Sequence, residues 1–182
     1  MAKYYEFEVS LIGAKPRLWR RFLIKKSASF QDLHEAIQLA CGWTGSHLFS
    51  FVTPGRRDRE EIATFFDEED FNDGEGPPAP RVKLTSYFSD LAQCIYIYDF
   101  GDDWEHDVRL VQEIDHKERF DRRLIAGKGT FPPEDCGGLP GFQHCLDILA
   151  GKIKDEDDLK SWLDGWTPEN FDLSETQKYF NC

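Results

Sequence analysis

Two runs of alternating residues, Ile95 to Phe100 and Trp104 to Val111, stand on either side of Gly101-Asp102-Asp103. Alternation of apolar residues puts one face of each run against a core. A glycine and two aspartates between them supply the backbone freedom of a tight reversal. The segment therefore predicts an antiparallel hairpin, which makes a sheet with such pairing the starting point for the fold. Asp99 and His106 come out on the same side of this hairpin whichever two residues make the turn. On an apolar face an acid and an imidazole must satisfy each other or another polar group. A buried Asp99–His106 hydrogen bond that fixes the hairpin is the structural expectation. An oriented imidazole, usable as a general base or metal ligand, is the functional one.

The remaining segments extend the sheet and cover it. Tyr4 to Ile12 alternates as a half-buried strand, and Leu18 to Lys25 follows after Gly13-Ala14-Lys15-Pro16. Arg20 and Arg21 are expected across from Glu6 and Glu8 as cross-strand ion pairs, a reading preferred over an anion site. Ser29 and Asp32 suggest a capping box for a helix bearing Phe30, Leu33, Ile37 and Ala40, closed by Gly42. His34 sits on the flank of that stripe as a satisfied or solvent-facing side chain. His47 to Val52 reads as a short strand. Residues 58–80 crowd acidic side chains before a run of Gly and Pro, and predict a mobile, solvated loop without the ordered oxygen ligands of a calcium site. Helices are expected over Leu84 to Leu91, around Phe142 to Leu149, from Asp155 to Trp166, and near the end. Glu113 to Arg123 is expected to lead into an irregular Gly- and Pro-rich stretch. Strands followed by helices, without regular βα alternation, predict an α+β fold: an antiparallel or mixed sheet with helices packed on it. The 182 residues suit a single domain spanning 1–182. Fifteen Phe, five Trp and six Tyr can fill its core without metal or disulfide.

Charge narrows the function. A formal net charge of -12 argues against nucleic acid as partner, since phosphate binding calls for a basic face. Five cysteines, odd in number and without a CxxC pair, read as reduced thiols in a cytoplasmic protein. No apolar run approaches a membrane span. Ala126-Gly127-Lys128-Gly129-Thr130 has the flavour of a phosphate loop, but it lacks the first glycine and Pro132-Pro133 stands where a helix should begin.

A second conformationally demanding segment, Pro132-Pro133-Glu134-Asp135-Cys136-Gly137-Gly138, combines stiff prolines with permissive glycines. If it folds over the hairpin, the two frame a pocket. The leading expectation is a binding or interaction module with its recognition surface there, its partner a protein. The alternative is a hydrolase or metal-dependent enzyme using Asp99, His106, Glu134, Asp135 and Cys136. No cofactor is expected. Zinc or another divalent metal is the alternative, with His106, Cys136, His144 and Cys145 as ligand types whose spacing lacks a chelating pair.

Three groups of residues also carry a resemblance. Pro16-Arg17-Leu18-Trp19-Arg20-Arg21, Cys41-Gly42-Trp43 and His47-Leu48-Phe49 resemble the opening of the Ri-plasmid Orf-three-like family. Tyr98-Asp99-Phe100-Gly101-Asp102-Asp103-Trp104-Glu105-His106 is similar to its central signature. Pro132 to Gly138, the following helix and Pro168-Glu169-Asn170-Phe171-Asp172 are similar to its closing part. The resemblance implies an α+β fold in a largely uncharacterised group, some of whose members are passengers of plasmids or insertion elements. It implies an accessory role with a mobile genetic element. A resolvase-like DNA-binding activity is disfavoured by dispersed arginines and the acidic balance.

Overall fold

The computed structural model describes residues 1–55, 58–65 and 77–182. Along the chain these form β1 (Ala2–Leu11), β2 (Trp19–Lys25), α1 (Phe30–Cys41), β3 (Phe49–Val52), β4 (Glu61–Thr64), α2 (Thr85–Phe88), β5 (Gln93–Tyr98), β6 (Trp104–His116), β7 (Arg122–Lys128), α3 (Gly138–Leu149), α4 (Leu159–Trp162) and α5 (Leu173–Phe180). The strands make one sheet in the order β4-β3-β5-β6-β1-β2-β7, with each neighbouring pair antiparallel. The α+β expectation holds, in its antiparallel rather than its mixed form. Among the described residues no helix is long and apolar enough to cross a membrane.

α1 forms where the capping signals place it. Ser29 Oγ accepts from the Asp32 amide at 3.2 Å, and the Asp32 carboxylate accepts from the Ser29 amide at 2.6 Å. The helix ends on Gly42 at φ +82°, a left-handed position that glycine occupies without strain. Its apolar stripe, Phe30, Leu33, Ala36, Ile37 and Ala40, packs into one cluster with Phe7, Val9 and Phe22 of the central strands and Tyr96, Tyr98 and Trp104 of the hairpin. Burying these rings supplies most of the driving force for the fold, at about 25 cal/mol per Å² of apolar surface.

Four expectations are corrected. Arg21 does hold Glu8 at 2.6 Å and lies 3.7 Å from Glu6, but among the described residues Arg20 has no acidic partner of this kind. Consecutive residues of a strand point to opposite faces, so only one of the two arginines can meet the acids. Arg20 turns inward, is 2% exposed, and donates to the carbonyls of Ala40, Trp19 and Lys128. Second, the hairpin register pairs Tyr98 with Trp104 and Tyr96 with His106. The reversal is therefore five residues long, Asp99 to Asp103, with Asp99 at φ +57° and Asp103 at φ +54°. Third, β7 occupies the stretch expected to be irregular. Only Leu124 of it is buried, so an edge strand of this composition carries almost no period-two signal. Pairing with β2 defines it, and α5 with the residue after it secures it: Gln177 donates to the Leu124 carbonyl and the Asn181 side chain accepts from the Leu124 amide, both at 2.9 Å. Fourth, β4 pairs with β3 inside the segment expected to be a mobile loop. The acidic run over 66–76 lies outside the described residues.

Candidate functional site

The Pro-Pro-Glu-Asp-Cys-Gly-Gly segment folds onto the hairpin tip. Trp43 Nε1 donates to the Pro132 carbonyl at 2.8 Å. The Glu134 carboxylate accepts from the Tyr98 hydroxyl at 2.6 Å and from the Thr44 amide at 2.9 Å. Asp102 accepts from the Gly137 amide at 3.1 Å. At Gly138, φ is +66° and an added Cβ would lie 2.5 Å from the Asp102 carbonyl oxygen; at Gly141 it would lie 1.7 Å from that of Cys136. Close backbone approach thus requires both glycines, and at Gly138 the left-handed conformation does as well.

This junction brings together His47, Asp99 and Asp135, from three separate segments. His47 Nε2 lies 3.1 Å from Asp135 Oδ1 and 3.8 Å from Asp99 Oδ2. One ligand atom from each of the three falls within 4.8 Å of the others. Asp99 is held by its own turn, accepting from the Gly101 amide at 3.0 Å. The His47 nitrogen is inaccessible to solvent and, although close to both carboxylates, makes no directed hydrogen bond to either. A nitrogen and oxygens about 3 to 4 Å apart have the spacing of ligands on one cation bound at about 2.0–2.2 Å. Phe100 and Leu48 stand beside this set, 55% and 50% exposed.

The residues marked out in the sequence divide between this rim and the core. Asp99, Glu134 and Asp135 belong to the rim. His106 does not: it is fully buried, its Nδ1 donates to the Trp104 carbonyl at 2.9 Å, and its ring lies parallel to Phe131 and edge-on to Trp43. Burial pushes its pKa down to about 4, so it is neutral at ordinary pH. The expected Asp99–His106 pair is absent because the five-residue reversal takes Asp99 out of the ladder, while His106 keeps the core face with Tyr96 and Tyr98. Cys136 is half-buried beside Cys145, and burial first, then Cys145, pushes its thiol up to about 12. Such a thiol stays protonated and is a poor nucleophile. His144 is exposed on α3 while Cys145 is buried on it. Among the described residues, His106, Cys136, His144 and Cys145 form no metal-binding group.

His34 is a satisfied core histidine. Its Nδ1 is 2.7 Å from the Tyr96 hydroxyl, which also accepts from Gln38 at 2.9 Å; burial lowers its pKa to about 4. Sequence reasoning misses His47, which reads only as the start of a strand. Its signal was its place at the mouth of β3, which pairs with β5 and so must end at the hairpin tip.

The match to the family model for plasmid pRiA4b ORF-3-like proteins runs over residues 3–175. An uncharacterised protein, y4hQ, from Sinorhizobium fredii is 35% identical over 153 residues, covering 82% of this chain and 75% of that one. The crystal structure of MM3350 from Methanosarcina mazei Go1, titled a protein of unknown function, superposes with a TM-score of 0.82 at 31% identity, covering 96% of this chain and 97% of that one. With a fold held in common over nearly the full length and a family match from β1 into α5, the chain belongs to the plasmid pRiA4b ORF-3-like protein family.

Proposed function

We propose that the protein is a binding module rather than a catalyst, and that its recognition surface is the rim where the hairpin tip meets the Pro132–Gly138 segment. The observation that carries this reading is the convergence of His47, Asp99 and Asp135. Two carboxylates and an imidazole suit a divalent cation, which pins the three segments together. Exposed Phe100 and Leu48 then offer apolar anchors to a protein partner on a surface fixed in shape. The groups a hydrolytic mechanism would call on argue for binding instead: His106 is sealed in the core and Cys136 is held as a thiol. The plasmid-borne member that names the family supports a role as an accessory to a mobile element.

The test is calorimetric titration of chelator-treated protein with Zn²⁺ and with Mn²⁺. One saturable site per chain is expected. It should be lost in His47→Ala and in Asp135→Asn and kept in His144→Ala, whose side chain is exposed elsewhere. Heat that is unsaturable, or equal in all variants, rules the cation out and leaves the rim without a specific ligand.

A further inference from the structure

A concavity of about 860 Å³ opens between the β1–β2 turn, the end of β7, α3 and the segment after α4. Its charge is opposite to that of the chain. Acidic residues outnumber Lys and Arg by 34 to 22 overall, yet the walls carry Lys15, Arg17, Lys128 and Lys152 against Glu169 alone among acids. Arg17 is engaged by Glu8 and Lys152 by Asp147. Lys15 and Lys128 have no ion pair among the described residues. Leu146, Leu149 and Phe171 supply apolar lining.

An independent feature lies behind Phe171. The Arg20 guanidinium stacks 3.6 Å from the centre of that ring and 4.8 Å from Phe131. Among the described residues its hydrogen-bond partners are three carbonyls, with no carboxylate among them. Burial lowers its pKa to about 10, which leaves it charged at neutral pH. A buried cation with no counter-ion among the described residues is costly to hold, and its field is poorly screened by the low-dielectric surroundings. Phe171, the ring on which Arg20 stacks, lines the cleft.

The same geometry accounts for the Gly-Lys-Gly segment that imitates a phosphate loop. A Cβ at Gly127 would lie 2.8 Å from Arg20 Cδ and 2.9 Å from Phe171, and one at Gly129, where φ is +73°, would lie 2.3 Å from Leu18. The two glycines let the edge of the sheet close over Arg20 and Leu18, and they deliver Lys128 to the cleft wall. We infer that this cleft binds a small organic anion: an acidic head group between Lys15 and Lys128 and an alkyl or aromatic body on Leu146, Leu149 and Phe171. Its volume is within the ordinary range for such ligands, about 300–1,000 Å³.

The experiment titrates the fluorescent probe anilinonaphthalene sulfonate onto the full chain, then displaces it with octanoate, octyl phosphate or octanol. One saturable probe site is expected. At least one of the two anions should displace the probe at roughly tenfold lower concentration than octanol, and the better one identifies the head group. Combining Lys15→Glu with Lys128→Glu, both at exposed positions, should weaken the anion's displacement about tenfold or more with octanol and the melting temperature unchanged. His47→Ala should leave every arm unaltered, which separates this site from the rim. Absence of saturable probe binding, displacement by octanol as good as by both anions, or unaltered anion affinity in the double variant overturns the inference.

Discussion

His106 and His47 sit at the two ends of one short structural path, and the same side chain does opposite things in the two places. His106 is enclosed by Phe131, Trp43 and Tyr96, with a backbone carbonyl as its partner. His47 is half-buried between carboxylates that arrive from two other segments. The first is a packing element that must stay neutral. The second places a nitrogen 3.1 and 3.8 Å from oxygens of two carboxylates, a grouping that could hold a metal ion. The difference teaches that an imidazole embedded in an aromatic signature is a poor guide to chemistry, and that the useful one stands where loops converge.

The sharpest way to break this contrast is acid. The folded-state pKa values of His106 and His34 are depressed to about 4, below the ordinary value of about 6.5. Above that value both folded and unfolded forms are neutral and the two groups do not affect stability. As pH falls from about 6.5 towards 4 the unfolded chain takes up protons that the folded chain refuses, so stability declines, by on the order of 3 kcal/mol per histidine at most. Urea denaturation at a series of pH values checks this; a flat profile across that window would remove both from the core. Next, His106→Ala should cost about 3 kcal/mol through the cavity it leaves while cation affinity at the rim is unchanged. Equilibrium unfolding and calorimetry on one preparation decide it.

A smaller effect is expected at Gly138, where a Cβ would meet the Asp102 carbonyl oxygen at 2.5 Å in a left-handed conformation. Gly138→Ala should cost about 1–3 kcal/mol and weaken cation binding several-fold, because it displaces the segment that carries Asp135. Unchanged binding there would mean that the segment's position does not matter to the rim. The smallest stability change belongs to His47→Ala, within about 1 kcal/mol for a half-buried side chain whose Nε2 makes no hydrogen bond, together with complete loss of the cation site. A large loss of stability with binding retained would reverse the roles assigned to the two histidines.

Much of the architecture is legible in the residues. The alternation of β1, the capping box of α1 and the aromatic hairpin are local signals written in consecutive residues, and local sterics and burial decide them. β7 and β4 are not legible, since their side chains alternate weakly and partner strands define them. Of the candidate site, Asp99, Glu134 and Asp135 could be picked out as polar residues in demanding loops. His47 could not, because its value depends on carboxylates 52 and 88 positions away in sequence. The length of the hairpin reversal is not legible for a related reason. Asp99 and Asp103 tolerate the left-handed conformation well enough to lengthen the turn, and a change of that kind decides whether a side chain stays in the ladder.

The sequence by itself determined the α+β class, the antiparallel hairpin, the caps of α1 and the presence of two stiff, acidic segments. These follow from period, steric freedom and local hydrogen bonding, none of which needs distant residues. Only the tertiary structure decided that His106 is core and His47 is rim, that Arg20 is a buried cation and Arg21 a surface one, and that four cationic residues of an acidic chain share a cleft. Those outcomes depend on register and on which loops meet. A displacement of one residue along a strand turns a side chain to the other face, and pairwise patterns within a segment cannot fix that displacement.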